Sequence, residues 1–248
     1  MITRVGKLTW RVRPDFEAFR PVLEDPERFL QDPVIQYKHS PNITVAKINF
    51  DGPNCPGLIL RRLNYGKFLH RLRDFFRRSR AERAMAWGLL LGQVGIATPR
   101  PLAAANVRCC RWPLAAYLIT EEVPGAKTLT RFVKEKPAYS ENVLLRLADL
   151  IAALHNAGYS HRDLKATNVL LDDQLKPWLI DLDGIRRLDR FGRSRAAADL
   201  ERLARNFNPA FLRRAGPSFL RRYCERRHDH PSRLQLFRKL SAALRRST

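Results

Sequence analysis

The sequence predicts an α+β chain of two lobes: a small β-rich N-terminal lobe with a helical extension at its start (residues 1–122) and a mainly helical C-terminal lobe (residues 123–248). Three observations carry this reading. Strand-like apolar runs at Ile43–Phe50, Leu58–Leu63 and Leu114–Thr120 gather in the first half. The most regular helical periodicity, Ser140–Gly158, stands in the second half. Directly after it comes a polar loop, His161–Asn168, and then two short apolar runs that read as a hairpin. A length of 248 residues is ample to bury such a core.

In chain order, Asp15–Leu30 has helix-compatible periodicity, stopped by Asp32-Pro33. The strands Ile43–Phe50 and Leu58–Leu63 flank the turn-rich Asp51–Gly57. Ser79-Arg-Ala-Glu82 has capping-box spacing: the serine hydroxyl and the glutamate three residues on can each take one orphan N–H of a helix start. The helix beyond exits at Gly95, with Pro99 and Pro101 following. Its apolar stretch Ala84–Ile96 is interrupted by Gly88, Gly92 and Gln93, so it reads as a packed helix and falls short of a membrane span. In Ser140–Gly158, Val143, Leu144, Leu147, Leu150, Ile151 and Leu154 make one apolar face, with Ser140 and Gly158 as caps. Val169–Leu171 and Trp178–Ile180, joined by Asp172-Asp173-Gln174, form the hairpin that returns Asp181 beside Asp163 and Asn168. A further helix begins near Ser194.

Hydrophobic residues at 45% and aromatics at 9% exclude a fibrous or low-complexity chain. Cys55, Cys109, Cys110 and Cys224 form no CxxC pair and have no histidine at metal-ligand spacing, so they read as free thiols of a cytoplasmic protein. Met1–Trp10 lacks the apolar core of a secretory signal. The formal net charge of +22 is concentrated: residues 61–83 hold nine basic and two acidic residues, and residues 186–248 hold eighteen and five. Such patches attract polyanions, and the 36 arginines against 10 lysines suit bidentate contacts to phosphate or carboxylate. A GC-rich genome gives the same arginine bias. Aromatics for base stacking are sparse in both stretches, so nucleic acid is not the expected partner.

His161-Arg-Asp-Leu-Lys-Ala-Thr-Asn168 matches the kinase catalytic-loop pattern H-R-D-L-x-x-x-N. Asp163 would accept the proton of a substrate hydroxyl, and Asn168 would hold one Mg²⁺. Asp181, in the place of the D-F-G aspartate, would bridge metal to the β- and γ-phosphates of ATP, and Lys165 would offset charge on the transferring group. Glu121-Glu122-Val123-Pro124-Gly125 leaves a strand as a hinge does, so the Glu121 carbonyl and Val123 N–H are expected to hold adenine; a plain strand exit gives the same letters. Glu82 is expected to be the acidic half of a phosphate-positioning ion pair, although a capping role alone would account for it. Its basic partner should lie on the preceding strand, which favours Arg61; Lys47, in Val45-Ala46-Lys47, is the alternative.

These segments resemble the lipopolysaccharide core sugar kinases, the Kdo/heptose (InaA-like) group of the protein-kinase-like superfamily, over about residues 35–210. The likeness rests on Leu60-Arg-Arg-Leu-Asn-Tyr65, Ser79-Arg-Ala-Glu82, Gly95-Ile-Ala-Thr-Pro-Arg-Pro101, His161-Arg-Asp-Leu-Lys165 with Asn168, and Ile180-Asp-Leu-Asp183. It implies a protein-kinase-like fold, ATP with Mg²⁺, and an inner-core heptose or Kdo hydroxyl as acceptor. By position, Asp163 is then the general base, Asn168 and Asp181 are metal ligands, and Arg61 stands where the family has lysine. It implies work at the cytoplasmic face of a Gram-negative inner membrane, with an anionic glycolipid or sugar as substrate and the basic stretches meeting an anionic membrane surface.

Three departures stand out. Lysine is replaced by Arg61, no glycine-rich loop lies between Tyr37 and Phe50, and Asp183 occupies the D-F-G glycine position. Asp183 reads either as a further metal-shell carboxylate or as a loop-stabilising acid. After Asp181 only about a dozen residues precede the next helix, with no A-P-E sequence, so a small or glycolipid acceptor is expected rather than a peptide. Asp199 is placed to brace the catalytic loop from that helix, unless it is simply solvated. The alternative function is a pseudokinase serving as regulator or scaffold in envelope assembly. Oligomeric state leaves no mark on the sequence.

Overall fold

A computed structural model describes residues 1–5, 8–14, 19–48, 57–65, 75, 78–109, 112–136, 140–188 and 192–228. The chain forms two compact units, Met1–Leu90 with Pro99–Pro124, and Leu91–Thr98 with Gly125–Thr248. The turn Asp51–Pro56, much of the basic stretch at 66–77 and all of 229–248 lie outside the described residues.

The first unit is built on strands β1 (Ile2–Val5), β2 (Leu8–Val12), β3 (Ile35–Ser40), β4 (Ile43–Ile48), β5 (Leu58–Asn64), β6 (Pro101–Cys109) and β7 (Trp112–Glu121). They form one sheet in the order β1-β2-β6-β7-β5-β4-β3, antiparallel throughout. Alternation of side chains gives the sheet two covered faces. Trp10, Val12, Ile48, Leu58, Leu60, Ala103, Tyr117 and Ile119 pack on one face with Val22 and Leu23 of helix α1 (Arg20–Glu24). Trp10 Nε1 also donates to the Leu23 carbonyl at 2.9 Å, tying α1 to the sheet. On the other face Leu63, Tyr65, Ala104, Ala116 and Leu118 meet Ala81, Ala84 and Met85 of helix α3 (Arg80–Gln93).

The single helix expected over Asp15–Leu30 is two short ones, α1 and α2 (Pro26–Gln31), with residues 15–18 outside the described set. Pro26 has no N–H to continue α1 and disfavours helical backbone at Asp25. Asp25 is accordingly at φ −140° and caps α2, accepting from Arg28 N at 3.1 Å. The capping box at α3 is formed in full: Glu82 N donates to Ser79 Oγ and Ser79 N to Glu82 Oε2, both at 3.1 Å.

The second unit contains β8 (Lys127–Thr128), α4 (Leu129–Glu135), α5 (Ser140–Asn156), β9 (Tyr159–His161), β10 (Val169–Leu171), β11 (Pro177–Leu179), β12 (Ile185–Arg187), α6 (Gly192–Ala204) and α7 (Pro209–Arg226). Val143, Leu144, Leu147, Ile151 and Leu154 of α5 are buried as the periodicity requires, and Gly158 at φ +82° ends the helix. The expected hairpin is present, with β10 pairing β11 from Val169↔Leu179 to Leu171↔Pro177. Helix α7 lies along α5, where Arg222 makes two bonds to Asp149 at 2.7 and 2.9 Å. No helix among the described residues is long and apolar enough to cross a membrane. Cys109 is exposed and Cys224 buried, both free, while Cys55 and Cys110 lie outside the described residues.

Candidate active site

The loop after β9 concentrates the chemistry of the second unit. Asn168, at the end of a short 3-10 turn (Ala166–Asn168), donates from Nδ2 to the Asp163 carbonyl at 2.9 Å and to Asp163 Oδ2 at 3.1 Å. Lys165 Nζ lies 2.7 Å from the same Oδ2. The carboxylate is open in a loop whose two ends are closed: His161 and Asn168 are 0% and 6% exposed, whereas the Asp163 side chain is 53% exposed, with Arg162 and Thr167 exposed beside it. An acid meant to meet an external hydroxyl needs this contrast, since a rigid base must also be reachable.

The loop is fixed from two sides. Asp199 of α6 accepts from His161 N at 2.7 Å through Oδ2, and from Arg202 through Oδ1 at 3.1 Å. It is therefore a buried brace, 1% exposed, and the solvated alternative does not hold. On the other side His161 Nε2 lies 3.0 Å from the Ile180 carbonyl, which fixes the proton on Nε2. Ile180 N in turn donates to the Asn168 carbonyl at 3.0 Å.

Asp181 is thus the residue next to one that is bonded to both ends of the catalytic loop. It takes left-handed backbone, φ +62° and ψ +52°, and opens the 3-10 turn Leu182–Gly184 that carries Asp183. That turn closes against the loop. A Cβ on Gly184 would meet Asp163 N at 3.8 Å, and Ile185 pairs with His161 across β12 and β9. With Nδ2 of Asn168 committed to Asp163, its Oδ1 is left as an oxygen donor, and Asp181 and Asp183 supply carboxylate oxygens, the donor chemistry that Mg²⁺ takes. No group of three or more His, Cys, Asp or Glu side chains among the described residues is arranged to hold a metal ion.

The first unit carries the other residues singled out in the sequence. Arg61 and Arg62 point to opposite faces of β5. Arg62 pairs with Glu27 of α2 at 3.0 Å, while Arg61 stands on the face covered by α3, opposite Leu118 and Val45. Lys47 shares that face: it is two residues along β4 from Val45, which makes it the diagonal neighbour of Arg61, within about 8 Å by sheet geometry. The two alternatives from the sequence are therefore adjacent in space. Lys47 Nζ sits 2.8 Å from Glu122 Oε2, where Tyr37 also hydrogen-bonds; burial, followed by this carboxylate, pushes the Tyr37 hydroxyl up. Glu121 ends β7 with its side chain on Arg100 at 3.0 Å, and Val123 is buried two residues on.

Glu82 pairs with Arg11 of β2, Nε to Oε1 at 2.7 Å. Burial alone would raise its carboxyl, but bonds from Arg11, Asn106 and the Ser79 N–H outweigh burial and hold it below the usual range. Arg11 went unread in the sequence because it lies 71 residues away on a strand that carried no strong period-2 signal. It belongs to one cross-strand row, Arg11, Ala104, Leu118, Arg61, Val45, Lys38, on the α3 face. Three strand spacings, about 14 Å, separate Arg11 from Arg61 in that row.

A "3-deoxy-D-manno-octulosonic acid kinase" of Vibrio parahaemolyticus serotype O3:K6 (strain RIMD 2210633) is 36% identical over 126 residues, 51% of each chain. One from Vibrio vulnificus (strain YJ016) is 28% identical over 205 residues, 78% of this chain and 84% of that protein. In the first of these the match spans only about half of the relative's length. The structure titled "WaaP in complex with acyl carrier protein" superposes with a TM-score of 0.61 at 18% identity, covering 95% of this chain and 94% of that one, which establishes a shared protein-kinase-like fold. Residues 59–223, which hold Arg61, Glu82, the catalytic loop, Asp181 and Asp199, match the profile of one family, and the chain belongs to it: the Lipopolysaccharide kinase (Kdo/WaaP) family.

Proposed function

We propose that the chain transfers the γ-phosphate of ATP to a hydroxyl of a Kdo or heptose residue in the lipopolysaccharide inner core. The observation that carries this is the open Asp163 carboxylate held by Asn168 and Lys165 in a loop whose His161, Leu164, Ala166 and Asn168 are buried. As the acceptor oxygen bonds the γ-phosphorus and ADP leaves, Asp163 takes the hydroxyl proton. Lys165, freed from Asp163 by that proton, turns its charge to the transferred group. Asn168, Asp181 and Asp183 would hold Mg²⁺, which when bound offsets charge on the β- and γ-phosphates. Arg61 is read as the phosphate-contacting cation of the first unit, with Lys47 beside it, and Glu121 and Val123 as the backbone that meets adenine.

The acceptor would be met at an anionic membrane surface on the cytoplasmic side. Arg213, Arg214 and Arg221 support this, exposed on α7 away from the pairs with Asp149. A pseudokinase is the competing reading, favoured by Arg61 in the lysine position and by the commitment of Glu82 to Arg11. Mass spectrometry of lipopolysaccharide core from cells with and without the protein separates them. Loss of one core phosphate, restored by the wild-type chain and not by Asp163→Asn, is the expected result. An unchanged core phosphate content in cells lacking the protein would reject the kinase reading.

A further inference from the structure

The strand that follows the turn carrying Asp183 sets an arginine beside the catalytic loop. β12 pairs antiparallel with β9, Ile185 opposite His161 and Arg186 opposite Ser160. The register continues one position past the strands, since a Cβ on Gly184 would lie 3.7 Å from the Cβ of Arg162. Residues opposite each other share a face, and faces alternate along a strand, so Arg162 and Arg186 stand on one face as diagonal neighbours, within about 8 Å. Gly184 puts no side chain between them. Both arginines are exposed, and among the described residues no carboxylate pairs with Arg162.

We infer that Arg162 and Arg186 form an anion subsite beside Asp163 that takes the carboxylate of the acceptor sugar, an assignment that rests on the proposed function for the nature of that acceptor. Of the two acceptors proposed, only Kdo, 3-deoxy-D-manno-octulosonic acid, is an acid, so the subsite selects it over heptose. Arg162 directly precedes the base, with about 3.8 Å between the two Cα atoms. An ionised acceptor approaching this loop meets the carboxylates of Asp163, Asp181 and Asp183. Like charges repel, so it docks only where cations offset them. Lys165 does not serve that purpose before transfer, because its Nζ lies 2.7 Å from Asp163 Oδ2. A guanidinium offers a carboxylate two parallel N–H donors, which fixes the direction of the sugar ring as well as its position. With the carboxylate held on one side of the base, a hydroxyl of the same ring is turned toward Asp163. A phosphate group would satisfy the same donors, which makes free phosphate the competing occupant.

The test measures binding to the full chain without nucleotide, and then transfer. The probes are the methyl glycoside of Kdo, the methyl ester of that glycoside, and inorganic phosphate. Wild type is compared with Arg162→Gln, Arg162→Lys, Arg186→Gln and, as a control with the same loss of charge, Arg187→Gln. Arg187 is exposed on β12 but stands opposite Tyr159, on the other face of the ribbon. The wild-type chain is expected to bind the acid at least about tenfold more tightly than the ester. Arg162→Gln and Arg186→Gln should each bring the two affinities within about threefold, while Arg162→Lys keeps part of the preference and Arg187→Gln keeps all of it. In transfer, kcat/KM for the two acceptors should show the same preference and the same losses, with KM for ATP within about twofold of wild type. Phosphate should compete with the acid and leave the ester unaffected. A wild-type chain that binds neither glycoside, or both alike, overturns the inference, as does an equal loss in Arg187→Gln. Phosphate that binds through Arg162 and Arg186 without displacing the acid would assign the pair to a free anion and overturn it too. Selective binding of the acid with no transfer counts against the proposed function alone.

Discussion

Asn168 holds Asp163 at two points, its backbone carbonyl and its Oδ2, through a single amide nitrogen. The amide can do this only because it is a donor at Nδ2, and the arrangement leaves its oxygen for other work. Asn168→Asp removes both bonds, leaves the Asp163 carbonyl short of a partner, and sets one carboxylate against another. Turnover should fall by at least about 10², and the partly buried carbonyl left unpaired should cost about 1 kcal/mol of stability. Steady-state kinetics and thermal melting check both. Wild-type values in the variant would mean that the amide bonds carry nothing.

Arg61 and Lys47 stand diagonally on one sheet face, and Lys47 pairs with Glu122 at 2.8 Å. Arg61→Ala is expected to disable transfer, Arg61→Lys to retain much of it, and Lys47→Ala to be mild. Nucleotide affinity, read by titration with Mg²⁺ and ATP, should follow the same order. An inactive Lys47→Ala beside an active Arg61→Ala would reverse the assignment.

Glu82 sets an acid limit on the fold. Its carboxyl lies below the ordinary value of 4.5, so its contribution is present in full above about pH 4.5 and is lost as pH falls through the lower folded value. Glu82→Gln should flatten that part of the stability curve. It should also cost about 1 kcal/mol at neutral pH through the weakened capping box. Urea midpoints between pH 3 and pH 6, taken for both proteins, give the comparison. Parallel curves would show that the ion pair with Arg11 is energetically silent.

If the exposed arginines of α7 serve to meet an anionic surface, binding to vesicles should be electrostatic. Each basic residue near such a surface contributes on the order of 1 kcal/mol within a Debye length. Sedimentation with vesicles containing anionic lipid should weaken steeply with salt and be poor with neutral lipid. Equal, salt-independent binding to both would return the charge to genome composition.

What could be read from the sequence was local, and what could not was long-range. The capping box, the α5 face and the β10–β11 hairpin each depend on residues within a few positions of one another, and each is present as expected. β6 went unread because its alanines, Ala103 to Ala105, carry little strand signal and are buried on both faces. The sequence favours Arg61 over Lys47 because its strand directly precedes the Glu82 helix, but it does not show that antiparallel pairing of β4 with β5 sets the two side by side on one face. Arg11 reaches Glu82 only through sheet order.

The left-handed backbone at Asp181 has an evolutionary consequence. A residue with a Cβ pays about 1–2 kcal/mol to sit there, and asparagine tolerates it better than aspartate. Laboratory selection for thermal tolerance alone should therefore discard this aspartate early, enriching Asp181→Asn among survivors that melt no lower than the parent and transfer no phosphate. Selection for transfer should never release it. Sequencing the two pools would show the position drifting in one and frozen in the other, an activity–stability conflict confined to a single backbone angle.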